Sequence, residues 1–323
     1  MNFHFDRGLK LTDIDLAIDV RRRQPRGFVS HAHADHIAPH ETAYCTPATA
    51  VMYRHRLGEH RKVAEMPFGK TLEWSDLRLT TLPSGHILGA AMLLAESDKL
   101  RLLYTGDFKL GHSATAERAA IPQVDILVME STFGDPQYRW PDRTATLERF
   151  FRLVEDTLND GLTPLVHAYV LGKAQEITRL LTQRGLCVYQ HPLIYEISQL
   201  YEKCGCPLGD YRLYEGSCPP GAVVMAPPRS QKRAVALSGL GPVRTFFLTG
   251  WALNNSVPWR MKVDHALPLS DHADYTELLS MVEQANPRVI YCTHGPESFA
   301  DRLIALGHDA RVLGRDNQLR LFG

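Results

Sequence analysis

The sequence of 323 residues predicts an α/β protein in which one domain is inserted into another. Three observations support this fold class. The N-terminal part consists of short apolar runs separated by turn residues, and from Asp142 the pattern changes to alternating strands and helices. Residue types that bind metals then return near residues 270–274 and 291–295, after having occurred close to the N-terminus. A hydrophobic content of 44% is enough to bury a large core.

The predicted elements follow from periodicity. The strands of the first part cover residues 16–20, 27–30, 77–82, 91–95, 101–105 and 126–129. The alternating part contains predicted helices at 144–159, 173–184 and 194–203, and predicted strands at 164–169, 186–189, 222–225 and 243–248. We therefore predict a first domain of residues 1–140 and 256–323, with residues 141–255 inserted as a second domain.

Composition restricts the classes of partner. Lys and Arg total 36, as do Asp and Glu, so any contact with nucleic acid depends on local patches. Candidate patches are 21–23 (Arg-Arg-Arg) and the group Arg229, Lys232 and Arg233, although solvated surface is the alternative for both. The six scattered cysteines indicate reduced thiols, and no signal peptide or bilayer-spanning run occurs. We expect a cytoplasmic protein without a membrane partner.

The densest chemical signal is the run Ser30-His31-Ala32-His33-Ala34-Asp35-His36, directly after the apolar residues 27–29. Imidazole nitrogens and carboxylate oxygens are preferred ligands of zinc and its first-row neighbours. Alternation sends the side chains of His31 and His33 the same way, while Asp35 and His36 point elsewhere and suggest a second ion. A solvated histidine-rich turn is the alternative, but the HxHxDH pattern after a strand favours a metal site.

Four further residues extend this pattern. His86 lies in a loop bracketed by glycines, which lets the backbone approach a ligand closely. Asp107 ends a predicted strand, where a carboxylate can bridge two cations, and His294 follows another apolar run. Asp19 closes a strand and is expected to orient a ligand imidazole through a hydrogen bond.

With these residues the sequence resembles the metallo-β-lactamase fold, an αββα sandwich. The resemblance implies that a first-ion set, His31, His33 and His86, binds one divalent ion. It implies that a second-ion set, Asp35, His36 and His294, binds another, with Asp107 bridging the two. The ligand types leave zinc and manganese equally open.

Three segments resemble the β-CASP branch of that superfamily, whose members are nucleases. Glu130 in Glu-Ser-Thr-Phe-Gly matches motif A, His272 in Ser-Asp-His-Ala-Asp matches motif B, and His294 matches motif C. The run Gly-Lys-Ala-Gln-Glu at 172–176 resembles a segment of the inserted β-CASP domain. Within the branch, the chain is most similar to bacterial ligase-associated DNA exonucleases. This resemblance implies a functional link to an ATP-dependent DNA ligase and a helicase.

The chemistry of phosphodiester cleavage assigns roles to these groups. Two cations about 3.5–4 Å apart can activate a hydroxide for in-line attack on phosphorus, so Asp35 counts among the catalytic residues. His272 is the expected proton donor to the leaving oxygen, with Glu130 accepting a hydrogen bond from its ring. The alternatives are a third metal-ligand site or a helix cap for His272, and a helix N-terminal carboxylate for Glu130.

The substrate is the least specified part of the prediction. Lys173 and Gln175 lie at a predicted helix N-terminus, a natural phosphate-binding location, although helix solubility explains both equally. The compact length and the lack of a tail after Gly323 favour DNA, whereas His294 at motif C is typical of RNA-cleaving members. An RNA-processing ribonuclease is therefore the main alternative, and a small-molecule metallohydrolase is a more distant one.

Overall fold

The computed structural model describes residues 1–5, 8–228, 239–254 and 256–313. The chain divides into two compact units: the first comprises the residues up to Gln137 and again from His272, and the second is Tyr138–Asp271. The domain boundaries predicted after residues 140 and 255 stay a prediction. No helix among the described residues is long and apolar enough to cross a membrane.

The first sheet of the first unit contains six strands in chain order. They are β1 (Phe3–Phe5), β2 (Leu9–Leu11), β3 (Leu16–Ile18), β4 (Arg26–Phe28), β5 (Thr42–Cys45) and β6 (Val63–Glu65). Strands β1 to β3 pair antiparallel, and β3 to β6 pair parallel. Helix α1 (Pro47–Leu57) connects β5 to β6, and its first turn is capped by Thr46, whose hydroxyl accepts a hydrogen bond from the backbone of Thr49.

The next five strands begin the second sheet. They are β7 (Thr71–Trp74), β8 (Leu77–Pro83), β9 (Ala91–Glu96), β10 (Arg101–Tyr104) and β11 (Ile126–Glu130). Strands β7 to β10 form an antiparallel meander, and β11 joins β10 in parallel.

The second unit is an open, fully parallel sheet with helices between its strands. In chain order it contains α2 (Arg143–Asn159), β12 (Thr163–His167), α3 (Lys173–Thr182), β13 (Val188–Gln190), α4 (Pro192–Lys203), β14 (Tyr211–Leu213), β15 (Val223–Ala226), β16 (Val243–Leu248), α5 (Val257–Met261) and β17 (His265–Leu267). The strand order is β14-β13-β15-β12-β16-β17. Strands of a parallel sheet are covered on both faces, which explains why β15 is apolar and buried throughout and why all of β12 except Thr163 is buried.

The chain then returns to the first unit and completes the second sheet. The returning elements are α6 (Tyr275–Ala285), β18 (Val289–Thr293), α7 (Ser298–Ala305) and β19 (Ala310–Val312). Strand β18 inserts between β11 and β19 and runs parallel to both, so the sheet order is β19-β18-β11-β10-β9-β8-β7.

Alternating side chains of the second sheet build two separate cores. Leu93 and Ala95 of β9 face the first sheet and pack with Leu16 and Phe28, whereas Met92 and Leu94 pack with the helices α6 and α7. On the outer face of the first sheet, Ala43 and Cys45 pack against Tyr53 of α1. The first unit is therefore an αββα sandwich and the second an α/β unit, which confirms the predicted fold class.

Candidate metal centre

Parallel strand ends bring the predicted site residues together. In the second sheet, Tyr104 pairs with Val128 and Glu130 pairs with Thr293, so the loops after β10, β11 and β18 leave the same edge. In the first sheet, β3 and β4 are also parallel, and Asp19 and the run 30–36 follow their carboxyl ends. All of these residues belong to the first unit.

The first-ion set and Asp107 converge on one point. His33 Nδ1 lies 3.0 Å from His31 Nε2 and 3.1 Å from His86 Nε2. Asp107 Oδ2 lies 3.4 Å from His31 Nε2 and 3.7 Å from His86 Nε2. Ligands held about 2.0–2.1 Å from a tetrahedral zinc are themselves about 3.3 Å apart. The four donors therefore fit one divalent ion.

The residues of the second-ion set are less tightly grouped than those of the first-ion set. His36 Nε2 lies 3.4 Å from Asp107 Oδ2 and 3.8 Å from Asp35 Oδ2. The ring of His294 stacks on His36 with centroids 5.5 Å apart. Among the described residues, the groups whose donor atoms all lie within 4.8 Å of one another are the first-ion set with Asp107, and Asp107 with Glu130 and His272. The second ion stays a prediction.

Glycines allow two loops to reach this centre. The carbonyl of Gly89 in the His86 loop accepts hydrogen bonds from the hydroxyls of Thr46 (2.6 Å) and Thr49 (2.9 Å) at the start of α1. A Cβ at Gly89 would lie 2.6 Å from Ala48 Cβ. A Cβ at Gly295, next to His294, would lie 1.9 Å from the Ser131 carbonyl oxygen. Only glycine permits these approaches.

Asp19 organises the back of the centre. Its Oδ2 accepts hydrogen bonds from the hydroxyls of Ser30 (2.5 Å) and Tyr104 (2.9 Å), and lies 2.8 Å from His36 Nδ1. Ser30 Oγ is also 3.0 Å from His31 Nδ1. Because the Ser30 proton points to Asp19, its oxygen accepts the His31 Nδ1–H. The neutral form of each histidine, which is the form that binds a metal, then has its unprotonated Nε2 towards the centre. Asp19 adopts a left-handed backbone, with φ of 48°.

Electrostatics of the buried centre favour a positive charge. Burial and the neighbouring His36 lower the pKa of His31 well below its ordinary value. Burial also opposes protonation of His36, but Asp107 and Asp19 outweigh it and hold the His36 pKa well above its usual range. Burial would raise the pKa of Asp107, yet the surrounding histidines, His36 first, keep it well below. Two buried carboxylates thus need compensating charge at this point, which a divalent cation provides.

Glu130 and His272 form a hydrogen-bonded pair beside Asp107. His272 Nδ1 lies 3.0 Å from Glu130 Oε1, and the buried carboxylate also accepts bonds from the Phe108 backbone (2.9 Å) and the Thr132 hydroxyl (2.6 Å). Glu130 ends strand β11, and Asp274 is the N-cap of α6. A helix N-terminal role for Glu130 and a capping role for His272 are therefore wrong. A metal-ligand role for His272 remains compatible with the convergence of these donors.

Comparisons with known proteins agree with this geometry. Residues 256–313, which include His272 and His294, match the family described as "Zn-dependent metallo-hydrolase RNA specificity domain" (RMMBL). A protein named "Probable DNA ligase" from Opitutus terrae is 38% identical over 98% of this chain and 31% of its own length. Cleavage and polyadenylation specificity factor subunit 3 from Dictyostelium discoideum is 32% identical over 47% of this chain and 20% of its own length. The chain is a β-CASP metallo-β-lactamase.

Two further matches bear on the extent of this likeness. RNase aCSPSF2 from Saccharolobus solfataricus is 28% identical over 53% of the chain and 40% of its own length. A solved structure of a protein of unknown function from Enterococcus faecalis has a TM-score of 0.59, covers 90% of this chain and 79% of that chain, and is 14% identical. That likeness shows the fold alone. This β-CASP metallo-β-lactamase spans two fifths or less of the length of these curated relatives.

The two residues predicted to bind phosphate have buried side chains. Lys173 and Gln175 do lie in the first turn of α3, but both side chains are buried. Lys173 forms an ion pair with Asp271. Gln175 accepts a hydrogen bond from the Gly172 backbone (2.8 Å) and donates one to Val170 (3.1 Å). Because both side chains are occupied inside the second unit, this arrangement disfavours a role in phosphate binding.

The basic patches have different outcomes. Arg21 and Arg22 are exposed, and Arg23 pairs with Glu41 at 3.4 Å. The patch of Arg229, Lys232 and Arg233 lies outside the described residues.

Sequence reasoning missed three supporting residues, Ser30, Tyr104 and Thr132. Each donates a hydrogen bond to a predicted carboxylate, Asp19 or Glu130. Each carries a hydroxyl group within three residues of a predicted ligand or motif residue, but the sequence does not show which carboxylate that hydroxyl contacts.

Proposed function

We propose that this protein is a metal-dependent phosphodiesterase that acts as a DNA exonuclease and trims DNA ends in repair. The observation that carries the proposal is the pairing of His272 with Glu130 at 3.0 Å, next to the four converging metal donors. A small-molecule metallohydrolase needs the donors but has no need of such a pair. The cytoplasmic location predicted above belongs to the same proposal.

In this proposal His31, His33, His86 and Asp107 hold one divalent ion, and Asp35, His36 and His294 complete a second position with Asp107. Bound zinc or manganese supplies Lewis-acid stabilisation of phosphate charge and lowers the pKa of water. The chain's own groups orient these ligands, because Asp19 fixes the Nδ1 protons of His36 and, through Ser30, of His31.

His272 supplies the proton for the leaving oxygen. Glu130 accepts the Nδ1–H, so the Nε2 proton of the charged ring is the one available for transfer. The His272 side chain is 27% exposed, whereas Glu130 is almost fully buried. A substrate can therefore reach the histidine while its orienting partner stays fixed.

DNA is the proposed polymer because the relative that matches almost the whole chain carries the name of a DNA ligase. That name also supports a functional link to an ATP-dependent ligase, while the link to a helicase rests on the family resemblance alone. Ribonuclease activity is the second candidate, favoured by the RNA-processing names of two other relatives and by the RNA specificity domain at 256–313.

The proposal is tested with 5′-labelled single-stranded DNA and RNA of the same sequence, incubated with Zn²⁺ or Mn²⁺. Wild-type protein is expected to shorten DNA, and Asp35→Ala and His33→Ala are expected to lose at least a hundredfold in rate. His112→Ala is the matched control, because His112 is an exposed histidine outside the motifs, and it should retain the wild-type rate.

The outcomes separate the candidates. Cleavage of RNA alone would move the assignment to the ribonuclease. Equal inertness of wild-type and Asp35→Ala protein on both polymers would remove the nuclease proposal. Equal losses in His33→Ala and His112→Ala would show that the site assignment is wrong.

A further inference from the structure

The first unit has a cleft whose lining residues lie outside the metal centre. It has a volume of about 580 Å³ and lies at the edge of the first sheet. Its walls carry His4, Lys10, Arg21 and Arg22, and its floor includes Ala17 and Val20. The volume falls within the range of about 300–1,000 Å³ that small ligands occupy.

The cleft is basic although the protein is neutral. Acidic and basic residues are equal in number over the chain, yet none of the described residues that line the cleft is acidic. Lys10 is partly neutralised by Asp15, 2.5 Å away. Within the described ranges, Arg21 and Arg22 are exposed and form no ion pair, whereas the adjacent Arg23 pairs with Glu41.

The cleft and the metal centre are linked by consecutive residues. Asp19 contacts His36 inside the centre, Val20 forms part of the cleft floor, and Arg21 and Arg22 follow on its wall. Gly8 lies close against Val20, since a Cβ at Gly8 would be 2.4 Å from Val20 Cγ2. A strand of nucleic acid with a phosphate at the centre has further phosphates spaced along its length.

We propose that this cleft binds backbone phosphates of the nucleic-acid strand that lie outside the bond to be cleaved, with Arg21 and Arg22 as the main contacts. This inference rests on the proposed nuclease function. Guanidinium groups match phosphate geometry with two parallel hydrogen bonds, and the apolar floor suits the sugar between phosphates. A free nucleotide shares this chemistry, so the experiment has to separate the two sources.

The test compares the double variant Arg21→Ala/Arg22→Ala with Arg23→Ala. The probe is a fluorescent phosphorothioate oligothymidylate, and its affinity is measured by anisotropy from 50 to 400 mM KCl. The double variant is expected to bind on the order of tenfold more weakly, and its slope of log affinity against log salt should be shallower by about 1.4. Arg23→Ala should stay within twofold of wild type, because Arg23 does not line the cleft and its side chain pairs with Glu41.

A second variant guards against a folding artefact. Arg21→Lys/Arg22→Lys keeps both charges, so it should retain the wild-type salt slope while losing affinity through the missing bidentate bonds. Wild-type affinity and slope in the alanine double variant would overturn the inference. Binding of thymidine monophosphate that the double variant loses, with strand affinity unchanged, would also overturn it, because the ligand would then be a free nucleotide.

Failure of the cleft can be told apart from failure of the nuclease proposal. Bis(p-nitrophenyl) phosphate is a diester without further phosphates, so its turnover by wild-type protein reports on the metal centre. If wild-type protein hydrolyses neither this compound nor DNA, the nuclease proposal fails, and the inference with it. If it hydrolyses both and the double variant binds as wild type does, only the cleft inference is wrong.

Discussion

At the scale of single residues, Asp19 is the organising group of the centre. One carboxylate orients a histidine of each predicted ion: His36 directly, and His31 through Ser30. Its positive φ of 48° is uncommon for a residue other than glycine, although Asp and Asn tolerate it best. The strained backbone therefore places the carboxylate where four donors, including the Ser30 backbone N–H, reach it.

Replacing Asp19 with asparagine should weaken metal binding. The amide has one acceptor oxygen and a donating NH₂ group, which would face the hydroxyl and imidazole donors that now converge on Oδ2. We expect Asp19→Asn to lower zinc affinity about 10–100-fold, measured by competition with a chelator. The exposed Asp98→Asn serves as the matched control and should be unchanged. Equal affinities of the two variants would contradict the orienting role.

The metal-donor residues were more predictable than their supports. HxHxDH is a local pattern, and His86, Asp107 and His294 follow strands or glycines, so motif and position were enough to select them. Tyr104 could not be found in this way, because it lies 85 residues from Asp19 in the chain. For Lys173 and Gln175 the position at the start of α3 was predicted, but the burial of their side chains was not.

At the scale of elements, the turn before α6 holds His272 against the centre. The Asp274 side chain accepts a hydrogen bond from the Glu277 backbone N–H, and the Glu277 side chain accepts one from the Asp274 backbone N–H. This reciprocal pair fixes the first turn of α6. The backbone N–H of Ala273 donates to Phe108 (2.7 Å), and that of Phe108 donates to Glu130 (2.9 Å). The backbone of Phe108 thus connects the Asp107 loop to the Glu130 carboxylate and to the segment that carries His272.

His272→Ala tests whether this element delivers a proton. As a general acid, His272 should contribute about 10²–10⁴-fold to cleavage of DNA, whose leaving oxygen needs protonation. The loss should be much smaller for p-nitrophenyl thymidine phosphate, since nitrophenolate leaves without a proton. Steady-state rates on both substrates are the measurement, with zinc affinity of the variant as the control. Equal losses on both substrates together with weaker zinc binding would make His272 a metal ligand instead.

Elements with strong periodicity were predicted closely, whereas some short strands were missed. The amphipathic helix predicted at 144–159 is Arg143–Asn159, and the strand predicted at 243–248 is Val243–Leu248. Strands of three residues such as Phe3–Phe5 and Val63–Glu65 escaped prediction, because so few residues show no period. Their pairing is decided by the tertiary context of the first sheet.

At the scale of the whole molecule, the metal centre joins distant parts of the chain within one unit. Its predicted donors come from residues 31–107 and from His294, which the chain reaches only after completing the second unit. The sequence indicated this return through metal-ligand residue types near both ends. It could not indicate that β18 enters between β11 and β19, because that register depends on long-range pairing.

Removing the metal should consequently destabilise one unit selectively. An ion that binds only the folded state adds about 4.1 kcal/mol of stability at a thousandfold excess over its Kd. Hydrogen exchange after EDTA treatment should therefore accelerate at residues 30–36, 105–107 and 291–294. The amides of β12 and β16 should keep their rates, because the predicted donors all belong to the first unit. His33→Ala, which lacks one donor, should exchange rapidly from the start and respond little to EDTA. Equal acceleration in both units of the wild-type protein would show that the ion stabilises the chain as a whole, and no acceleration would show that these donors hold no metal.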